Sequence, residues 1–217
     1  MFVKQIFGAL FAAALAATVS APALADSPLT STDLIAGYGS LPELKETAGG
    51  VLTPELASKL TGDILNRGEK VAIVNALGWV FEGKQNAAIF RDALVSKYGP
   101  TVVQEGRVHV SDLTTDELVV LGYLVALDNY FLPSESVGYL EAAALREPRS
   151  LAVAVVRGLV RAQLSGDLGL SGCSIWQAVA APLTRPQRFE TDLALVSLRQ
   201  PKSYMELYRE NCKGQKD

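Results

Sequence analysis

Two cysteines, a single histidine and a set of arginines spaced along one helix are the residues of this 217-residue chain whose types and spacing could do chemistry. A thiol beside an imidazole is a nucleophile beside its base, and Cys173 with His109 would supply both. Cys212 offers the other outcome for the same sulfur. An even cysteine count in an exported chain reads as one disulfide. A Cys173–Cys212 bond would close a loop of about 40 residues and contribute roughly 3–4 kcal/mol through chain entropy. It would tie the last helix back to the start of an earlier one, and it is the expectation here. One His cannot build a multi-histidine metal site, and no H-E-x-x-H helix is present. The serine elbow G-x-S-x-G, the S-x-x-K dyad, the phosphate loop and the dinucleotide fingerprint are also missing from the sequence. We therefore expect no metal, no cofactor and no catalysis.

Two further groups carry charge into apolar surroundings. Asp128 lies among Ala126, Leu127, Tyr130 and Phe131. Burial there would raise its pKa and suit it to acid–base work in a hydrolase. The plainer expectation is a helix-end carboxylate bonded to a backbone N–H. Asp116 and Glu117 fall at a helix N-terminus, where the helix dipole already accounts for them. Arg149, Arg157 and Arg161 recur along one helix otherwise made largely of Leu, Ala and Val. They form a narrow basic stripe. It would pair internally with Glu135 or Glu141, or receive a carboxylate or phosphate from a partner, a task that suits a guanidinium.

The elements that must position these groups follow from punctuation and periodicity. Residues 1–25 read as a secretory signal peptide: Lys4, then an apolar run over 6–19, then Pro22 and the small-residue site Ala23-Leu24-Ala25, with cleavage after Ala25. The apolar run is shorter than the roughly 20 residues a membrane span needs, so no stable membrane anchor is expected after cleavage. Residues 26–50 read as an extended lead-in with one or two short helical turns, one of them capped at Ser31-Thr32-Asp33. Residues 51–217 read as one all-helical domain. Thr53-Pro54-Glu55 is a helix start. Residues 69–81 and 116–131 are apolar nearly all round, the mark of buried helices, and Trp79 is placed in the core. Residues 85–98 are amphipathic and stop at Gly99-Pro100. Valines at 102, 103, 108 and 110 make 101–110 the one extended segment, a short hairpin or loop. Further helices are expected from 133 to before Pro148, over 149–165, over 171–181, and as a last pair near 187–199 and 202–212.

The fold class is thus all-α: a compact irregular bundle of about eight or nine helices with one short extended segment near 101–110. Leu77-Gly78-Trp79 and Leu121-Gly122-Tyr123 stand 44 residues apart, a spacing that also admits stacked helix-pair repeats in a solenoid-like arrangement. The irregular bundle is the expectation.

The chain is 49% hydrophobic and 20% charged with a net charge of −3, which excludes wholesale disorder. Charge divides unevenly: residues 26–145 carry 8 basic and 16 acidic side chains, and residues 146–217 carry 11 and 7. A nucleic-acid binder would show a strongly basic face with interleaved aromatics, so nucleic acid is not an expected partner. Trp176, Phe189, Tyr204 and Tyr208 lie on shorter amphipathic pieces, with core packing expected before surface contact. These observations lead to an exported, periplasmic or secreted protein that acts without catalysis, by binding another exported or envelope protein as scaffold, inhibitor or immunity-type factor. The alternative is a helical bundle holding a lipid or small molecule in an apolar pocket between helices 69–81 and 116–131.

Overall fold

Side-chain caps decide where most helices begin. Thr53 accepts from the Leu56 N–H at the head of α1 (Pro54–Thr61), with Pro54 at the first helical position. Asn66 and Glu69 exchange bonds in a capping box that starts α2 (Arg67–Leu77). Thr114 and Glu117 do the same for α4 (Thr115–Asp128). Ser150 caps α6 (Leu151–Asp167), and Ser171 caps α7 (Gly172–Thr184). The computed structural model describes residues 27–80, 83–104, 107–131 and 133–213. Over them, α3 (Asn86–Tyr98), α5 (Ser134–Arg146) and α8 (Arg199–Arg209) complete eight α-helices, so the fold is an all-α bundle. The extended segment is a two-residue-per-strand antiparallel hairpin, β1 (Val103–Gln104) with β2 (Arg107–Val108). The signal peptide of residues 1–25, with its cleavage after Ala25, lies outside the described residues.

α4 is the central rod. Residues Glu117 to Leu127 are buried without a break, because α2, α3, α5 and α6 all pack on it. α2 lies alongside it in the same direction: Lys70 in the first turn of α2 meets Asp116 in the first turn of α4, and Gly78 at the end of α2 meets Leu127 near the end of α4. α6 and α7 approach closely at Gly158, where a Cβ would fall 2.9 Å from the Val179 side chain and 3.0 Å from the Ala178 carbonyl. A side chain there would push the two helices apart.

Three expectations are corrected: the end of the 69–81 helix, the place of Trp79 and the helix near 187–199. The helix expected over 69–81 ends at Leu77, where Gly78 caps it. The chain then turns outward, leaving Trp79 50% exposed instead of in the core. The two Leu-Gly-aromatic triplets are not equivalent, since Gly78 ends a helix and Gly122 sits mid-helix against Leu140, while Trp79 is exposed and Tyr123 fully buried. They do not mark a repeat. The helix expected near 187–199 is instead a 3-10 turn at Pro186–Arg188, an extended stretch, and a second 3-10 turn at Leu195–Leu198. Glu190 is diverted into a parallel bridge with Ser150, which draws this stretch away from a helical path. The lead-in carries a short 3-10 turn at Pro42–Thr47, and Leu29 and Leu34 are buried in the same apolar cluster as the helices.

Two buried asparagines hold the lead-in. Asn75 Oδ1 accepts from the Leu34 N–H at 2.8 Å, and its Nδ2 donates to the Thr32 carbonyl and to the Tyr123 hydroxyl, both at 2.9 Å. Asn86 repeats the device, accepting from Leu52 N–H at 2.8 Å and donating to the Gly50 carbonyl at 2.9 Å. Each amide mimics a neighbouring strand for one residue pair. Burial pushes the Tyr123 hydroxyl up to about 12, so it remains protonated. Asn75→Ala would strand these partners in the core and is expected to cost about 3 kcal/mol, measured by urea unfolding. Cleavage upstream of residue 50 in native proteolysis should rise in parallel. A loss below about 0.5 kcal/mol would mean that water replaces the amide without penalty.

Candidate functional site

The sulfur chemistry resolves first. Cys173, at the start of α7, and Cys212, just past α8, are joined at 2.07 Å with 39 residues of separation. The bond does tie the last helix to the start of an earlier one. Cys173 is buried and His109 is exposed, and a sulfur held in a disulfide is not a nucleophile.

The arginine stripe divides. Arg149 lies 73% exposed at 3.8 Å from Glu190, a surface pair that contributes little. Arg157 and Arg161 converge on one carboxylate: Arg157 Nη1 donates to Glu141 Oε2 at 3.3 Å, and Arg161 Nη2 stands 2.6 Å from Glu141 Oε1. The second contact is an ion pair whose angles are wrong for a hydrogen bond. Glu135, the other suggested partner, pairs instead with Arg91 of α3 at 3.1 Å. Arg157 and Arg161 stand over a groove of about 310 Å³ between the end of α5, α6 and α7. Its lining is mixed: Val153, Ala154, Ala178 and Phe189 stand together with Glu147, Ser150 and Gln177. Trp176 is buried, and Phe189, Tyr204 and Tyr208 pack against the core, so core packing is the role these aromatics take.

The carboxylates assigned to the helix dipole do more than that. Asp116 accepts from Arg67 Nε at 2.7 Å and from Lys70 Nζ at 3.0 Å. Arg67 continues to Glu147 and to Asp192, and Asp192 accepts in turn from Ser150 Oγ and from the Ala152 N–H. Glu117 is buried with four donor contacts around it, from Lys97, from Tyr98, and from Thr114 through both its N–H and its hydroxyl. Every one of these groups is matched within the fold, which marks them as structural. Sequence reasoning missed Arg67, although Asn66 and Glu69 around it spell a capping box.

Asp128 confirms the plainer expectation. Its Oδ2 accepts from the Ala87 N–H at 2.7 Å, at the head of α3, where Gln85 supplies no cap of its own. Burial raises its pKa, against the lowering effect of the backbone N–H groups. Around this joint lies the surface that the sequence did not reveal. Gly50, at φ +65, passes so close to Val80 that a Cβ would meet its carbonyl at 2.3 Å. Val51, Trp79, Val80 and Phe131 are all exposed here, Phe131 by 77%. The joints Gly50–Val80, Gly78–Leu127 and Ala87–Asp128 bring their segments to one end of the bundle. The Arg91–Glu135 pair crosses from α3 to the start of α5 beside it. The signal that could have found this patch is Gly78 followed at once by Trp79-Val80: apolar residues placed after a helix stop.

The space between α2 and α4, suggested as a ligand pocket, holds the Asn75–Tyr123 bond and the Gly78–Leu127 contact. A cleft of about 670 Å³ lies elsewhere, between α1 and α3, lined by Ser58, Ile89, Asp92 and Lys97 among others. Among the described residues no group of three or more His, Cys, Asp or Glu side chains is placed to hold a metal ion, and no helix is long and apolar enough to cross a membrane. Comparison with protein-family models, with curated proteins and with solved structures found no match to this chain.

The two aspartates give opposite pH signatures. For Asp116, burial alone would raise the pKa, but Lys70 and Arg67 overcome it and hold the carboxyl below its ordinary value. Its stabilising contribution is complete above the ordinary value of 3.8 and is lost as pH falls through the lower folded value. For Asp128 the folded pKa is raised, so its contribution is complete in acid, below 3.8, and is lost as pH rises through the folded value. Asp116→Asn should therefore cost about 3 kcal/mol at neutral pH and flatten the acid limb of stability. Asp128→Asn should gain on the wild type as pH rises through the raised value and then plateau. Denaturant unfolding across pH 2–8 checks both signs.

Proposed function

We propose that this is an exported protein that works by binding another protein, without catalysis, through the apolar end of the bundle formed by Val51, Trp79, Val80 and Phe131. The observation that carries this reading is the exposure of those four side chains on segments that the Gly50–Val80, Gly78–Leu127 and Ala87–Asp128 contacts bring to one end of the bundle. Water-exposed Trp and Phe are costly to leave uncovered and are enriched where proteins meet. A charged pair at the margin, Arg91 with Glu135, supplies the kind of polar rim that surrounds such a core. The pairing of the interior carboxylates with cations of the fold supports a binding role over acid–base catalysis. The disulfide fits a chain that matures in an oxidising compartment, and a signal peptide cleaved after Ala25 would deliver it there, to the periplasm or beyond. Within this reading the partner is another exported or envelope protein, and scaffold, inhibitor and immunity-type roles all use such a surface.

A photo-crosslinking residue at position 79 or 131 of the exported protein is expected to give one discrete protein adduct. The same residue at position 207, exposed on α8 far from this patch in sequence, should give none. Trp79→Asp and Phe131→Asp should each weaken the partner at least about tenfold while changing stability by no more than about 1 kcal/mol. Adducts with lipid alone, or identical adducts from position 207, would refute the reading.

A further inference from the structure

We propose that the groove between α6 and α7 binds the free carboxylate of a ligand with a short apolar tail, with Arg157 and Arg161 clasping the carboxylate and the apolar part of the lining holding the tail. This inference is independent of the apolar end of the bundle and of any protein partner there. Three observations carry it. First, charge at the mouth is unbalanced: two guanidiniums share the single Glu141 carboxylate. Neither is locked by it, since the Arg157 bond is long at 3.3 Å and the Arg161 contact is an ion pair without hydrogen-bond alignment. The carboxylate that lines the groove, Glu147, is committed to Arg67 by two bonds of 2.5 and 2.9 Å. Second, guanidinium donors in a planar fork match a carboxylate, and charge-assisted bonds of this kind are the strong ones. Third, Val153, Ala154, Ala178, Ala181 and Phe189 contribute apolar lining beside the polar side chains of Ser150 and Gln177. Small side chains on facing helices leave a slot that an alkyl or branched apolar group can fill. The volume of about 310 Å³ is at the small end for ligand sites, which selects a tail of a few carbons over a long acyl chain.

That chemistry is offered by a free short-chain fatty acid and by the apolar C-terminal residue of a peptide. The probes are hexanoate and N-acetyl-alanyl-leucine, titrated into the disulfide-bonded protein by calorimetry, with hexanol and the peptide amide as uncharged controls. Saturable binding of at least one carboxylate, with the matching control at least about tenfold weaker, is expected, and which probe binds names the source. Arg157→Gln and Arg161→Gln should each weaken binding about tenfold. Ala178→Leu should fill the slot and reduce affinity while leaving the salt dependence in place. The decisive variant is Glu141→Gln: it removes the internal competitor for both guanidiniums and should tighten binding about fivefold. A misfolded protein cannot produce that gain. Absence of saturable binding of both carboxylates up to about 10 mM overturns the proposal. So does equal binding of the uncharged controls, or a Glu141→Gln protein that melts as the wild type does and binds more weakly.

Discussion

The guanidinium of Arg67 is the joint on which the bundle depends. It sits in the first turn of α2, only 15% of its side chain in contact with solvent, and it reaches carboxylates from three other parts of the chain: Asp116 at the head of α4, Glu147 after α5, and Asp192 beside the head of α6. A cation this far out of water is tolerable only when its donors are matched. Burial pulls its pKa down, and the bonds to Glu147 and Asp116 more than reverse that, so it stays charged. Asp192 passes the constraint on, because the same carboxylate takes the Ser150 hydroxyl and the Ala152 N–H at the start of α6. The geometry of one side chain thus sets the relative positions of three helix N-termini. It also explains why residues 189–194 leave a helical path: Asp192 must arrive at this joint.

Around that joint the helices obey a simple division. α4 is apolar on every side and is covered on every side, and its only deep polar contacts are the Tyr123 hydroxyl and the Glu117 carboxylate, each satisfied. Of its neighbours, α3 and α5 each bury one apolar stripe, whereas α2 carries Arg67 and Lys70 inward to Asp116. Where backbone without regular structure enters the core, a buried amide meets it, Asn75 for residues 32–34 and Asn86 for residues 50–52. The same logic places Asp128 against the uncapped head of α3. Polar groups inside this protein are there to complete the hydrogen bonds that helix ends and loops leave open.

Two surfaces escape this internal matching, and they differ in kind. At the end of the bundle, Val51, Trp79, Val80 and Phe131 stand in solvent because the helices that carry them have already ended. Between α6 and α7, the close approach at Gly158 and the small residues beside it leave a slot, and two arginines stand over it with one carboxylate between them. The first is an excess of apolar area, the second an excess of positive charge at a groove of mixed lining. The negative balance of residues 26–145 and the positive balance of residues 146–217 are partly reconciled through the contacts of Arg157 and Arg161 with Glu141.

The sequence by itself determined the helical class, the approximate span of most helices, the extended segment near 101–110 and the Cys173–Cys212 bond. These rest on local chemistry: caps, glycine and proline stops, apolar periodicity and an even cysteine count. It also offered Glu135 or Glu141 as a partner for the arginine stripe, of which Glu141 takes Arg157 and Arg161, and a backbone N–H as the partner of Asp128. Only the tertiary structure decided which Arg of the stripe would be left outside, that Arg67 would be the buried cation, and that Trp79 would face water. Each of those outcomes depends on what arrives from elsewhere in the chain: Asp192 from 125 residues away reaches Arg67, and Leu127 fills the place beside Gly78 that Trp79 would have to occupy. Local sequence fixes the direction in which a side chain leaves its helix. What it meets there is set by packing over long separations, which no window of neighbouring residues contains.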